Sequence, residues 1–284
     1  ISKYVKTGTS GKDFIEERDN RVKIQMDHIY NISDLKKLLP HHKFYLDKNI
    51  SLETLRLYRG GYATAGQMNG RYTFPIFQEE LRDNIIGYTG RALRHSAGTT
   101  YAKWKHIGKR KNWLYPLYIP KNNSYPFLEA IKEKEEIVIV ESVGDSLALT
   151  ENKMLNHLVT FGLGLSSKQI CQLVALNPKK IIIATNNDHN KPQNIGLEAA
   201  IKNFIKLMDF FDVSKLSIKL PSTNDLCDLH LADKFDSWVN KTVDPVSQLQ
   251  FILKKLESRG GMSIITSKKK RISKINFLQE YLED

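Results

Sequence analysis

The chain has 284 residues, a formal net charge of +12 and 41% hydrophobic residues, which suits two compact domains, or one and a half, with a sizeable core. No long uncharged apolar run is present, which excludes a transmembrane helix. The two cysteines, Cys171 and Cys227, are too few for a four-thiolate zinc site, and no histidine pair sits at finger spacing beside them, so no zinc is expected in this chain.

His41 and His42 are adjacent and read as solvated loop residues. Sparse cysteine use fits a reducing cytoplasm. No charged-then-apolar leader precedes the first domain, and the chain begins at Ile1, so a fragment or processed product is expected. The charge is unevenly placed: residues 1–132 carry +11, residues 133–240 carry −3 and residues 241–284 carry +4. A basic first part joined to an acidic middle suggests that one holds polyanion and the other metal. A Lys-rich compositional bias would give the same totals.

Along the chain, residues 1–25 are polar and read as an extended lead-in. Short helical patterns cover 32–39 and 51–58, the second opened by Ser51 as cap. Residues 71–76 and 84–89 alternate and read as strands joined by an acidic turn. Residues 94–112 read as a basic loop, and Pro116, Pro120 and Pro126 as a bridge. A βα rhythm follows, with strands at 137–140, 158–160, 181–184 and 216–220 and helices at 146–150, 167–176 and 196–211. That spacing predicts a mostly parallel sheet with right-handed crossovers. Helical segments at 245–255 and 274–282 flank a Gly-Gly break and the basic run Lys268–Arg271, which reads as a solvated loop. The resulting division is a basic mixed α+β part (1–132), a parallel α/β domain (133–240) and a helical tail (241–284).

In an open α/β sheet, ligands bind beyond the carboxyl ends of the strands. Glu141 and Asp145 follow the first parallel strand, Asn186 and Asp188 the third, Asp225 and Asp228 the fourth. One such acid means little, since Asp145 alone could be a helix cap. Three clusters at one end of one sheet gather like charge, which is costly unless cations neutralise it. Carboxylate oxygens suit Mg²⁺ or Mn²⁺, and two such ions about 4 Å apart serve phosphoryl transfer.

These residues resemble the TOPRIM domain. Glu141-Ser-Val-Gly-Asp145 is similar to its Glu-Gly-x-x-Asp motif, with Ser142 in place of glycine. Asn186-Asn-Asp188 is similar to Asp-x-Asp with the first acid replaced, and Asp225-Leu-Cys-Asp228 to the Asp-x-x-Asp pair of phage-like primases. Gly162-Leu163-Gly164 matches a loop of that fold. Upstream, Arg71-Tyr-Thr-Phe-Pro-Ile76, Gly87-Tyr-Thr-Gly-Arg91, Tyr101-Ala-Lys-Trp104 and Trp113-Leu-Tyr115 resemble segments of the DnaG primase RNA-polymerase core. The resemblance spans roughly residues 42–240 and implies a phage- or plasmid-like version of that core.

It implies that Glu141 and Asp188 are catalytic and that Glu141, Asp145, Asn186, Asp188, Asp225 and Asp228 hold Mg²⁺ or Mn²⁺, more than one ion. Asp145 could instead fix its turn through backbone amides. Asn186 carries no charge and should weaken the metal site. Arg71, Arg91 and Lys103 would contact template or nucleotide phosphates. Lys105, Lys109, Arg110 and Lys111, interleaved with Trp104 and Trp113, suit a single-strand groove, or equally a solvated basic loop over two core tryptophans. The implied substrates are NTPs and single-stranded DNA; a replicative helicase and a separate zinc-binding domain are possible partners, and no membrane is involved. Two alternatives stay open: a TOPRIM-type nuclease or nickase, and a non-catalytic ssDNA-binding module.

Overall fold

The computed structural model describes residues 27–79, 81–94, 101–258 and 261–283, so the expected lead-in over 1–25 lies outside it. Strand β1 (Tyr30–Asn31) runs into a 3-10 helix over Ile32–Lys37, and helices α1 (Lys43–Leu46) and α2 (Leu52–Leu57) follow. Ser51 caps α2, its Oγ accepting from the Thr54 amide at 3.2 Å.

Strands β2 (Gly61–Ala63), β3 (Arg71–Gln78), β4 (Leu81–Ala92) and β5 (Trp104–Gly108) join β1 in an antiparallel sheet of order β1-β4-β3-β2, with β5 on β4. Strand β5 corrects the sequence reading of 94–112 as a loop. Its basic residues hide the alternation, yet Arg91 stands opposite Trp104 and Thr89 opposite His106. Pairing there satisfies the edge of β4. Residues 71–77 of β3 are all buried. Tyr72, Phe74 and Ile76 share one side, while Arg71 and Thr73 share the other.

Helix α3 (Pro126–Lys134) replaces part of the expected proline bridge. Pro126 occupies the first turn, where an amide would lack a partner anyway, and Phe127 and Ile131 are buried one turn apart. The helix runs across residue 132.

Then come β6 (Glu136–Val140), α4 (Val143–Glu151), β7 (His157–Val159), α5 (Ser167–Leu176), β8 (Lys180–Ile183), α6 (Ile195–Leu207) and β9 (Leu216–Ile218). The four strands form a parallel sheet of order β7-β6-β8-β9, as the βα rhythm predicts. Ile137 to Val140 and Ile181 to Ile183 are buried on both faces. Helices α7 (Leu226–Leu231), α8 (Phe235–Val239), α9 (Pro245–Glu257), α10 (Gly261–Ile264) and α11 (Lys268–Glu283) complete the described chain. The run Lys268–Arg271 forms the start of α11, not a loop. Lysine and arginine are good helix formers, and Leu278 anchors this helix in the core.

One cluster of buried apolar residues extends through both sheets. At their seam the Tyr58 hydroxyl lies 2.7 Å from Ser146 Oγ, 2.7 Å from Thr150 Oγ1 and 3.2 Å from His157 Nε2. The first region is thereby tied to α4, the helix that follows Glu141. Among the described residues, no helix is long and apolar enough to cross a membrane.

Candidate active site at the carboxyl ends of the parallel strands

Glu141 leaves β6 and is followed by Ser142, the N-cap of α4. The Ser142 amide and hydroxyl donate to one Asp145 carboxylate oxygen at 3.1 and 2.8 Å. The other oxygen accepts from the Leu226 amide at 3.0 Å. Asp145 is 1% exposed, so it braces the first acidic loop against the third from within.

The second loop leaves β8. The Asp188 Oδ2 accepts from the Gly196 amide at 3.2 Å, and Oδ1 from Lys191 Nζ at 2.5 Å. Asn187 reaches the third loop, its amide donating to Asn224 O at 2.7 Å and its Nδ2 to Pro221 O at 2.8 Å. Gly196 is required here: a Cβ on it would meet Asn186 O at 1.8 Å. In the third loop Asp225 caps α7 and accepts from the Asp228 amide at 2.7 Å.

The three loops therefore bring their acids into one electrostatic unit. Burial lifts the Glu141 carboxyl above its usual range, and the charges of Asp188 and Asp225 lift it further, against Lys191 and the Asn186 amide. Burial and the Asp225 charge push Asp145 up to about 7. Asp228 is also raised, by burial and then Asp225, while Lys48 and Lys103 pull it back. Asp225 thus acts on Glu141, Asp145 and Asp228 alike.

The basic residues divide. Lys103 is exposed and acts on Asp228. The Arg91 guanidinium lies 5.4 Å from the Phe44 ring centroid and 6.0 Å from that of Trp104. Lys105 and Lys109 are half-buried, and Lys111 is exposed. Arg110 donates to Phe161 O at 2.9 Å, in the loop that carries Gly162 and Gly164. Beside it a cavity of ≈ 700 Å³ is lined by Arg110, Lys111, Lys168 and Lys206 among others. Arg71 differs: it is 2% exposed, donates to Gly90 O at 3.2 Å and packs 4.3 Å from the Tyr101 ring, so the fold does not present it on a surface. Trp113 is fully buried, a core residue.

Three participants escaped the sequence reading. Lys191 pairs with Asp188, Lys48 acts on Asp228, and His106 lines a cavity of ≈ 120 Å³ together with Glu141, Trp104 and Phe161. Burial, then Arg110 and Arg71, holds the His106 imidazole down to about 4, so it is neutral near pH 7. No local motif marks these contacts. For His106, the signal would have been its place in a strand.

The donor set, all oxygen and partly charged against itself, suits hard divalent cations. Its present arrangement is not a finished cage. Asp145 is committed to three hydrogen bonds and Asp188 to Lys191. Among the described residues, no three of His, Cys, Asp and Glu stand close enough to hold an ion.

No protein-family profile and no curated protein matches the sequence. Solved structures do match. The "structure of the DnaG catalytic core" aligns with a TM-score of 0.62 at 15% identity, over 89% of this chain and 94% of that one. The fold is that of the DnaG primase catalytic core. The E. coli primase catalytic core aligns at 0.59 with 16% identity, over 88% of this chain and 90% of its own. A DnaG primase catalytic domain bound to ssDNA aligns at 0.60 with 16% identity, over 85% and 89%. The primase-core fold accounts for both halves together, the antiparallel sheet as well as the parallel one.

Proposed function

We propose that this chain is the catalytic core of a DNA primase, which copies single-stranded DNA into short RNA primers by metal-dependent nucleotidyl transfer. The carrying observation is the meeting of opposite charges: Lys48 and Lys103 of the first region act on Asp228 of the acidic set. A TOPRIM-type site of this kind needs cations that hold polyanionic template and triphosphate beside carboxylates that hold metal.

Glu141, Asp225 and Asp228, with Asp188 once released from Lys191, would hold Mg²⁺ or Mn²⁺, which when bound supply charge neutralisation and activation of the attacking hydroxyl. Glu141 would accept a proton near the reacting phosphate. Asp145 serves by bracing two acidic loops. Arg91 and Lys103 position phosphates, Trp104 offers a face for stacking, and Lys105, Lys109, Arg110 and Lys111 extend the cationic path. A separate zinc-binding domain and a replicative helicase are partners this reading implies.

Incubation with single-stranded DNA, NTPs and Mg²⁺ or Mn²⁺ should yield short oligoribonucleotides, with Glu141→Gln lowering the yield by about a hundredfold or more. DNA cleavage without nucleotides would favour a nuclease instead. Asn186 favours one further reading, a binding module without catalysis. That reading requires salt-steep DNA binding indifferent to metal, whereas no gain of metal affinity or activity in Asn186→Asp would count against Asn186 as the cause.

A further inference from the structure

A second cationic cavity lies at the far end of α4 from the acidic loops. It measures ≈ 680 Å³ and is lined by Arg56 and Arg59 near the end of α2, Lys121 of the proline bridge and Lys153 past α4. Thr150 also lines it, whereas Glu141 and Ser142 stand before the other end of that helix. The nine residues of α4 span about 13 Å, so the cavity and the acidic loops are separated by its length. Leu155, also on the lining, precedes β7. The cavity therefore opens at the amino ends of the parallel strands, away from the carboxylates.

Its charge is not neutralised from within. Glu53 is the one acid on the lining, against four cations. None of the four forms a salt bridge among the described residues, and the Arg59 guanidinium sits 5.4 Å from the Phe77 ring centroid. The nearby carboxylate of Glu151 is taken by the Ser51 amide and hydroxyl, both at 3.0 Å. Gathering four like charges costs energy unless an anion offsets it.

The backbone is also held in unusual form. Arg59, Asn122 and Lys153 have φ of 54, 54 and 61°, so three of the eight non-glycine residues with positive φ in the described chain line this one cavity. Such conformations cost energy and gather at ligand sites. Leu57, Pro120 and Leu155 supply an apolar floor. The volume falls within the ordinary ligand range of about 300–1,000 Å³.

We propose that this cavity is a nucleoside-polyphosphate site distinct from the acidic centre, with the four cations holding the phosphates and the apolar floor receiving the base. Charge concentrated in one cavity matches a di- or triphosphate better than the evenly spaced charge of a strand. The site also touches the seam of the two regions, since Thr150, on its lining, bonds the Tyr58 hydroxyl.

The test is calorimetry with ATP in excess EDTA, which removes any metal-dependent binding at the acidic loops. ATP should bind, and AMP should bind about tenfold or more weakly. Lys121→Glu/Lys153→Glu should weaken ATP by about tenfold or more, while Lys254→Glu, on the exposed face of α9, leaves it unchanged. If the double variant unfolds, photolabelling the unaltered protein with azido-ATP should mark residues 53–59, 120–122 or 150–155. Absence of ATP binding, equal affinity for AMP, a label confined to the acidic loops, or displacement of ATP from this cavity by oligothymidylate would overturn the proposal. The EDTA makes its failure separable from failure of the primase reading.

Discussion

The two sheets use their residues in different ways. In the parallel sheet the strands are apolar on both faces, and the candidate site residues stand in the loops beyond their ends. In the antiparallel sheet the candidates stand on the strands themselves. Tyr72, Phe74 and Ile76 of β3 build core, while Trp104 and His106 on β5 line a cavity with Glu141, and Arg91 on β4 stands opposite Trp104. A loop-borne site depends on braces such as Asp145 and Gly196. A strand-borne one depends on register, because a slip of one residue sends every side chain to the other face.

The largest way to disturb this contrast is through the core of the first sheet. Phe74 is fully buried, with ring centroids of Tyr45 and Tyr72 at 5.8 and 5.2 Å. Phe74→Ala should lower unfolding stability by about 3–5 kcal/mol, measured by denaturant titration.

Acid should act next, at the seam. Burial holds His157 down to about 3 from its ordinary 6.5, against the raising effect of the Met154 carbonyl. A folded-state value below the unfolded one gives stability that is whole above pH 6.5 and lost as pH falls toward 3. The loss should approach about 1.4 kcal/mol per pH unit, and His157→Asn should remove that slope.

In the loop-borne site, Gly196→Ala must displace the Asn186 carbonyl. It should cost about 1–3 kcal/mol and weaken Mn²⁺ binding, while an alanine on the exposed face of α6 does neither. The smallest stability effect belongs to Lys191→Ala. Its pair with Asp188 is mostly exposed on the lysine side, so stability should change by about 1 kcal/mol or less. Metal affinity should rise, because Asp188 Oδ1 is freed; a fall would show that Lys191 helps to assemble the site.

The contrast also explains what could be read beforehand. The parallel strands are legible as apolar runs, and the acids that follow them are legible by position. The capped helix at Ser51 and the paired strands beginning at Arg71 and near Asn84 are equally plain. Strand β5 is not, because Lys103, Lys105, Lys109 and Arg110 make its surroundings look like loop while β4 supplies the pairing. Helix α3 is concealed by the proline that opens it, and the start of α11 by four consecutive basic residues. The burial of Arg71 and the partnerships of Lys48, Lys191 and His106 arise between segments distant in sequence or through turns whose geometry no motif encodes. Asp145 is the instructive middle case. Its position marks it as one of the acids, yet only its three hydrogen bonds distinguish a brace from a ligand.

The most direct measurement is a Mn²⁺ titration followed by calorimetry at two pH values. The account predicts saturable binding that weakens as pH is lowered, since burial and neighbouring charge raise Glu141 and Asp228 from their ordinary values and protons compete with the ion. Asp225→Asn, at the centre of the set, should weaken that binding by about tenfold or more. Absence of binding, or binding that Asp225→Asn leaves untouched, would contradict a cation site at the ends of these strands.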